Sequence, residues 1–343
     1  MICSEFLKLS ARIGRDPLLV QGPGGNTSVK QAGRMWIKAS GTVLADAVSD
    51  DIFVEVDVGR ALAELDGAGD GSCRSALVDP DGGLRPSIET TFHAMFPQRY
   101  VFHFHSVHTI VHAIAEQGRA LLSEKLAGLN WVAAPYRKPG IPLSRAIREA
   151  VLCQTDIGTV EVIVLENHGV IVVSDELSRI DSLIDEVESR LQRPVAHVAQ
   201  AVPEVGTSPD TLRAGWQRAR DVDAICLHSL VRQRAVEGTY YPDHVVFLGP
   251  GLPVLTERRF QQADESELEF PVVVVEGHGV MIRDSASPAH RAMLQCVHDV
   301  LVRVPQDWRL IPIGQDAEAE LLNWDAEKYR QQLAKRKENR NES

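Results

Sequence analysis

His103 and His105 stand two residues apart in the run YVFHFH. If that run is a strand, both imidazoles leave the same face. Two neutral imidazoles presented together suit one divalent ion. Among twelve histidines such pairs also arise by chance. His168 lies in an Asn-His-Gly turn between two apolar runs, a place where a scaffold presents reactive groups. An exposed hairpin tip would read the same way. Glu89 follows Pro86, Ser87 and Ile88 at the start of a helical pattern. A carboxylate there is favoured by the helix dipole alone. Beside a metal it can also act as a general acid/base, removing a proton next to a carbonyl while the ion stabilises the enediolate.

A glycine-rich turn, QGPGGNTS at 21–28, adds a second chemistry. Gly22, Gly24 and Gly25 let backbone N–H groups approach an anion, and Asn26, Thr27 and Ser28 add polar side chains. Ser40-Gly41-Thr42 repeats the style, and plain turn structure accounts for either segment as well. The turn lacks the third glycine of GxGxxG, and GxxxxGK[ST], GxSxG and HExxH do not occur, which disfavours dinucleotide, P-loop, α/β-hydrolase and zincin sites.

Several elements must position these groups. Spacing predicts helices over 2–13, 87–96, 108–118, 143–152 and 174–191, the last capped by Ser174. Strands are expected at 34–39, 100–105, 160–165 and 170–173, and a surface loop or hairpin over 64–85. A change of composition at 193–210 suggests a boundary between a domain at 1–195 and a smaller α/β one at 205–343. Beyond it, the pattern predicts a helix over 210–235, strands at 244–248 and 271–275, a helix over 288–303 and a helical tail that frays. VIVLENHGVIVV (162–173) resembles VVVVEGHGVMI (272–282), an echo consistent with a repeat or with coincidence.

In their order, GPGGNTSVK (22–30), WIKASGT (36–42), RPSIETTFHAMF (85–96), VFHFHSVHT (101–109) and VLENHGVIV (164–172) resemble the class II aldolase/adducin family. The resemblance covers roughly residues 1–190. It implies a fold similar to that of L-fuculose-1-phosphate aldolase: a three-layer αβα sandwich around a mostly antiparallel sheet. It implies metal ligation by His103, His105 and His168, with Glu89 as the catalytic glutamate. It implies phosphate binding by Gly25, Asn26, Ser40, Gly41 and Ser87, and assembly into a homo-oligomer, commonly a tetramer with sites near subunit interfaces. Ile88 stands where the family often has a second hydroxyl residue. The tyrosine that protonates the leaving aldehyde has no secure counterpart at Trp131 or Tyr136. His93 and His108 fall inside the matching region without an assigned role. Residues from about 205 resemble the extension of longer members of the rhamnulose-phosphate aldolase type, through YPDHVVFLGPG (241–251), VVVVEGHGV (272–280) and LLNWDAEKYR (321–330). There His244 and His278 suggest either a second site or structural roles.

The 343 residues carry a formal charge of −11, with 44% hydrophobic and 24% charged residues. Those values fit a two-domain globular chain, and the acidic balance argues against nucleic acid as a partner. Five widely spaced cysteines without CxxC argue against a disulfide scaffold and for the cytoplasm. No apolar run is long enough to span a membrane. The expected activity is that of a metal-dependent aldolase, a lyase cleaving a small phosphorylated ketose by an enediolate mechanism with one divalent ion, expected to be zinc. An epimerase, dehydratase or decarboxylase on the same scaffold, and a non-catalytic adducin-like binding or assembly protein, are the alternatives.

Overall fold

A computed structural model describes residues 2–154, 156–196 and 212–324. The first strands are β1 (Asn26–Gln31), β2 (Arg34–Lys38), β3 (Phe53–Asp57), β4 (Tyr100–Phe104), β5 (Trp131–Ala134), β6 (Val162–Leu165) and β7 (Gly169–Ser174). They form one sheet in the order β3-β2-β1-β4-β7-β6-β5, antiparallel except for the β5–β6 pair. The helices of this part are α1 (Ser4–Arg15), α2 (Val58–Ala63), α3 (Thr90–Met95), α4 (Val107–Ala113), α5 (Glu116–Lys125), α6 (Ile141–Gln154) and α7 (Leu177–Leu191).

Alternation along the strands supplies both faces of the sheet. Phe102, Phe104, Val170 and Val172 point to a core shared with Phe6 and Ile13 of α1 and with Leu183 and Val187 of α7. Val101, Ile171 and Val173 point the other way, against Phe92 of α3 and Leu143 and Ile147 of α6. The expected sandwich is therefore present, with apolar side chains filling both faces of its central strands.

The rest of the chain builds β8 (Trp216–Arg218), α8 (Ala224–Leu227), α9 (Ser229–Glu237), α10 (Pro242–Leu248), β9 (Val254–Leu255), α11 (Glu257–Gln262), β10 (Val272–Val275), β11 (Gly279–Arg283), α12 (Pro288–Leu301) and α13 (Gln315–Leu322). Its sheet runs β8-β11-β10-β9. This order repeats β4-β7-β6-β5 pair for pair: β9 is parallel to β10 as β5 is to β6, and the other pairs are antiparallel. Each central hairpin closes through three residues, between Leu165 and Gly169 and between Val275 and Gly279. The middle turn residue has positive φ in both, Asn167 at 54° and Gly277 at 74°.

Several expected elements need correction. Residues 244–248 are helical, not a strand. Pro242 opens α10, and every residue from 242 to 248 is buried, so the run shows no periodicity that would tell helix from strand. The helix predicted over 210–235 is instead β8 followed by α8 and α9, because the segment after Gly215 pairs with β11. The single helix predicted over 108–118 breaks at Ile114–Ala115, where the backbone pairs with the 309–311 segment. Helix α7 begins at Leu177; Ser174 accepts the N–H of Glu176 ahead of it and does not cap it. Most of the expected 193–210 boundary and the tail beyond Trp324 lie outside the described residues.

Helix α4 joins the two parts. Its Val107, Ile110 and Val111, with Ile114 at its C-terminal cap, share one core with Tyr240, Val245, Leu248, Val297 and Leu301. Among the described residues no helix is long and apolar enough to cross a membrane.

Candidate functional site

Strand β4 delivers His103 near its C-terminal end, with His105 just beyond. Antiparallel pairing sets His103 opposite Ile171 of β7 and Asn26 of β1. The β6–β7 turn brings His168 to the same place. The three imidazoles sit with centroids 5.0–5.1 Å apart, all buried. Among the described residues they are the only group of three or more His, Cys, Asp or Glu close enough to hold one ion.

Their nitrogens converge. His103 Nδ1 is bonded to the Val170 carbonyl at 3.0 Å, which leaves its Nε2 facing inward, 3.2 Å from His105 Nε2. Two 2.0–2.1 Å bonds at a tetrahedral angle separate nitrogens by roughly 3.3 Å. Burial, first among the causes, pushes the His103 pKa down, which favours the neutral form that donates an electron pair. Glu89 stands at the N-cap of α3, 5% exposed, with Oε2 3.5 Å from His103 Nε2 and Oε1 3.5 Å from His168 Nε2. That Oε1 is buried with no hydrogen-bond partner. Three converging imidazoles and an under-satisfied carboxylate around one point fit a divalent cation.

A hydrogen-bonded chain holds Glu89 in place. Asn26 Nδ2 donates to Glu89 Oε2 at 2.7 Å and to Ser87 Oγ at 3.1 Å, and the Glu89 N–H donates to Ser87 Oγ. Behind Asn26, its Oδ1 meets His93 Nε2, and His93 Nδ1 meets Ser28 Oγ at 2.8 Å. Burial drives the His93 pKa far down, with Lys30 and His103 adding to the shift. His93 is thus a neutral link two residues removed from the centre. His108 lies elsewhere, accepting the Arg193 N–H through Nδ1.

The cavity over the histidines measures about 30 Å³. Gly25, Asn26, Ser40, Gly41, Ser87, Glu89, His105 and His168 all line it; His103 lies behind, fully buried. An Ala39–Pro86 bridge sets Ser40 beside Ser87. Gly25 has φ +60°, and a Cβ there would stand 3.0 Å from the His103 carbonyl, so a side chain would displace β4. An adjoining cavity of about 920 Å³ shares Ser40, Ile88 and Pro139 and carries Arg74, Arg85 and Lys138. Neither Trp131 nor Tyr136 lines the small cavity.

Sequence reasoning missed two charged lining residues. Lys38 is buried at the end of β2, its Nζ 3.2 Å from the Pro23 carbonyl. Only a charged residue closing the apolar alternation of RMWIK could have marked it. Asp243 comes from α10, and its Oδ2 lies 3.1 Å from His105 Nδ1. Its signal, an acid behind a helix-opening proline, is too common to single out. In the second sheet His278 occupies the place of His168, but Arg218 stands in register where His103 does in the first. Arg218 is paired with Asp223, and His278 with Glu257. His244 is buried in α10, with both ring nitrogens lacking hydrogen-bond partners.

Residues 5–192 match the Class II Aldolase and Adducin N-terminal domain. A Bacillus subtilis (strain 168) protein described as uncharacterized oxidoreductase YuxG is 32% identical over 181 residues, 49% of this chain. The match spans only 26% of that relative's length. The N-terminal class II aldolase domain of a conserved Thermoplasma acidophilum protein is 26% identical, covering 55% of this chain and 90% of its own, with TM-score 0.47. L-Fuculose-1-phosphate aldolase from Thermus thermophilus is 17% identical, covering 55% of this chain and 93% of its own, with TM-score 0.35.

Proposed function

The chain belongs to the class II aldolase and adducin family, and from that premise we propose that it is a metal-dependent lyase cleaving a small phosphorylated ketose. The observation that carries the reading is the placement of the Glu89 carboxylate within 3.5 Å of both His103 and His168, at the floor of a cavity rimmed by Gly25, Ser40, Gly41 and Ser87.

His103, His105 and His168 would hold one divalent ion, zinc in this reading. When bound, such an ion acts as a Lewis acid on the substrate carbonyl and stabilises the charge that develops on its oxygen. The glycine turns, Ser40 and Ser87 would hold the phosphate, with Lys38 lining the same cavity; the two amide N–H groups of Asn26 are taken up by Glu89 and Ser87 and not by the phosphate. As the carbon–carbon bond breaks, its electron pair stays on the carbon next to the carbonyl. The departing hydroxyl becomes an aldehyde, and its proton is carried to that carbon by Glu89. Asn26 keeps Glu89 aimed during the transfer. The products are dihydroxyacetone phosphate and an aldehyde.

Residues 1–195 are the catalytic domain and 205–343 the smaller extension, of which Pro242 and Asp243 line the cavity, in a cytoplasmic homo-oligomer, a tetramer in the first instance. A second reading keeps the metal and Glu89 and changes the outcome to epimerisation, dehydration or decarboxylation. It is favoured by one observation: among the described residues neither a tyrosine nor a tryptophan of this chain lines the small cavity, so the chain itself places no aromatic group there to take the proton of the departing hydroxyl.

Metal content of chelator-free, tag-free protein tests the centre. The expected result is about one equivalent of zinc per chain, lost together with activity in His105→Ala. An active His105→Ala enzyme would sink the idea. Product analysis on a panel of ketose phosphates then separates cleavage from the second reading.

A further inference from the structure

Asp243 lies outside the segment matched by the family model, which ends at residue 192. It is the second residue of α10, 3% exposed, in a helix whose every residue is buried. A buried carboxylate is costly unless it faces a donor. Oδ2 of Asp243 lies 3.1 Å from His105 Nδ1, on the side of the ring away from His103. The glycine turn leaves room for this approach. A Cβ on Gly24 would stand 3.0 Å from His105 Nδ1 and 3.1 Å from Asp243 Oδ2. The neighbouring ligand is braced from the same direction. Asn167, beside His168, donates through Nδ2 to the carbonyls of Tyr240 and Ile311, at 2.8 and 2.7 Å.

We propose that Asp243 is a positioning residue for the metal centre. It accepts the hydrogen bond of His105 Nδ1–H, and this fixes the tautomer and ring angle that leave Nε2 to the ion. A carboxylate behind a histidine ligand orients the ring and raises its basicity. The C-terminal part of the chain therefore supplies a working piece of the site. The proposal rests on the three-histidine reading of the preceding subsection.

The test is zinc affinity by chelator competition at one pH, on full-length wild type, Asp243→Ala and Asp243→Asn, with thermal midpoints of the metal-free proteins alongside. Wild type is expected to bind one zinc. Asp243→Ala should bind it about 10–100-fold more weakly. Asp243→Asn, which keeps the shape and one acceptor oxygen, should fall between. Cobalt loaded in place of zinc should show altered visible bands in both variants, because those bands report ligand geometry. A purely structural role would lower the thermal midpoint and leave affinity and cobalt bands unchanged in the folded protein; that result overturns the proposal. If Asp243→Ala does not fold, an Asp243→Asn affinity within twofold of wild type, with unaltered cobalt bands, overturns it alone. A wild type that takes up no zinc or cobalt defeats the metal reading itself and the proposal with it, an outcome distinct from unchanged variants of a metal-binding wild type.

Discussion

Glu89 touches two histidines through different oxygens, and one of those oxygens has no hydrogen-bond donor. Replacing it by glutamine keeps the shape and removes the carboxylate proposed to carry the proton. Glu89→Gln should lower kcat by about 10²–10⁴-fold. Metal content by mass spectrometry should stay near wild type, because the three imidazoles remain; loss of the metal would instead assign Glu89 mainly to ligation. The residues that gather at this point were largely legible, because their spacing is local: a two-residue repeat sends His103 and His105 to one side of the β4 run, and a tight turn isolates His168. Asp243 was not legible. Its partnership with His105 spans residues far apart in sequence, and nothing local distinguishes it from any acid at a helix start. His93 was visible as a histidine but not as the back-support of Asn26, since that depends on how α3 meets β1.

The two central hairpins are built alike and used differently. Asn167 and Gly277 occupy the same left-handed turn position, but only Asn167 has a side chain to spend on neighbours. Glycine suits that conformation without strain, so Asn167→Gly removes the hydrogen bonds and spares the turn. Two carbonyls lose donors at roughly 1–3 kcal/mol each, giving an expected destabilisation of about 2–6 kcal/mol. Urea unfolding would read it directly, and an unchanged midpoint would show that the clamp contributes nothing. The sequence echo at 162–173 and 272–282 foreshadowed the matching hairpins, and the order of the flanking strands extends the match. Helix α10 escaped because a fully buried run such as HVVFL carries no polar face to set its period. Strand β8 escaped because three residues are too few to alternate convincingly.

Several buried histidines set the acid limit of the whole molecule. Burial lowers the pKa of His112 to about 4 and of His244 to about 3, and that of His93 well below its usual value. In the unfolded chain each titrates near 6.5. Below that value the unfolded state therefore binds more protons, and stability falls as pH drops. The window runs from about pH 6.5 down to about 4 for His112 and to about 3 for His244. Each histidine contributes a slope of up to about 1.4 kcal/mol per pH unit. Urea midpoints at pH 7 and pH 5 should differ in that direction, and His112→Gln should flatten the dependence; a profile level across that range would contradict the assignment. At this scale the three-layer sandwich was legible from its motifs, whereas the sharing of a core between α4 and the C-terminal part was not, because helical apolar spacing does not say which neighbour it will meet. That shared core also has a consequence for synthesis. A growing chain possesses all three histidines once residue 168 has been made, yet the cavity wall at Pro242 and Asp243 and the carbonyls that hold Asn167 are added only later. The ribosome thus finishes the three histidines well before it finishes their housing, and the cluster reaches its final form only after α10 and the 309–311 segment have emerged.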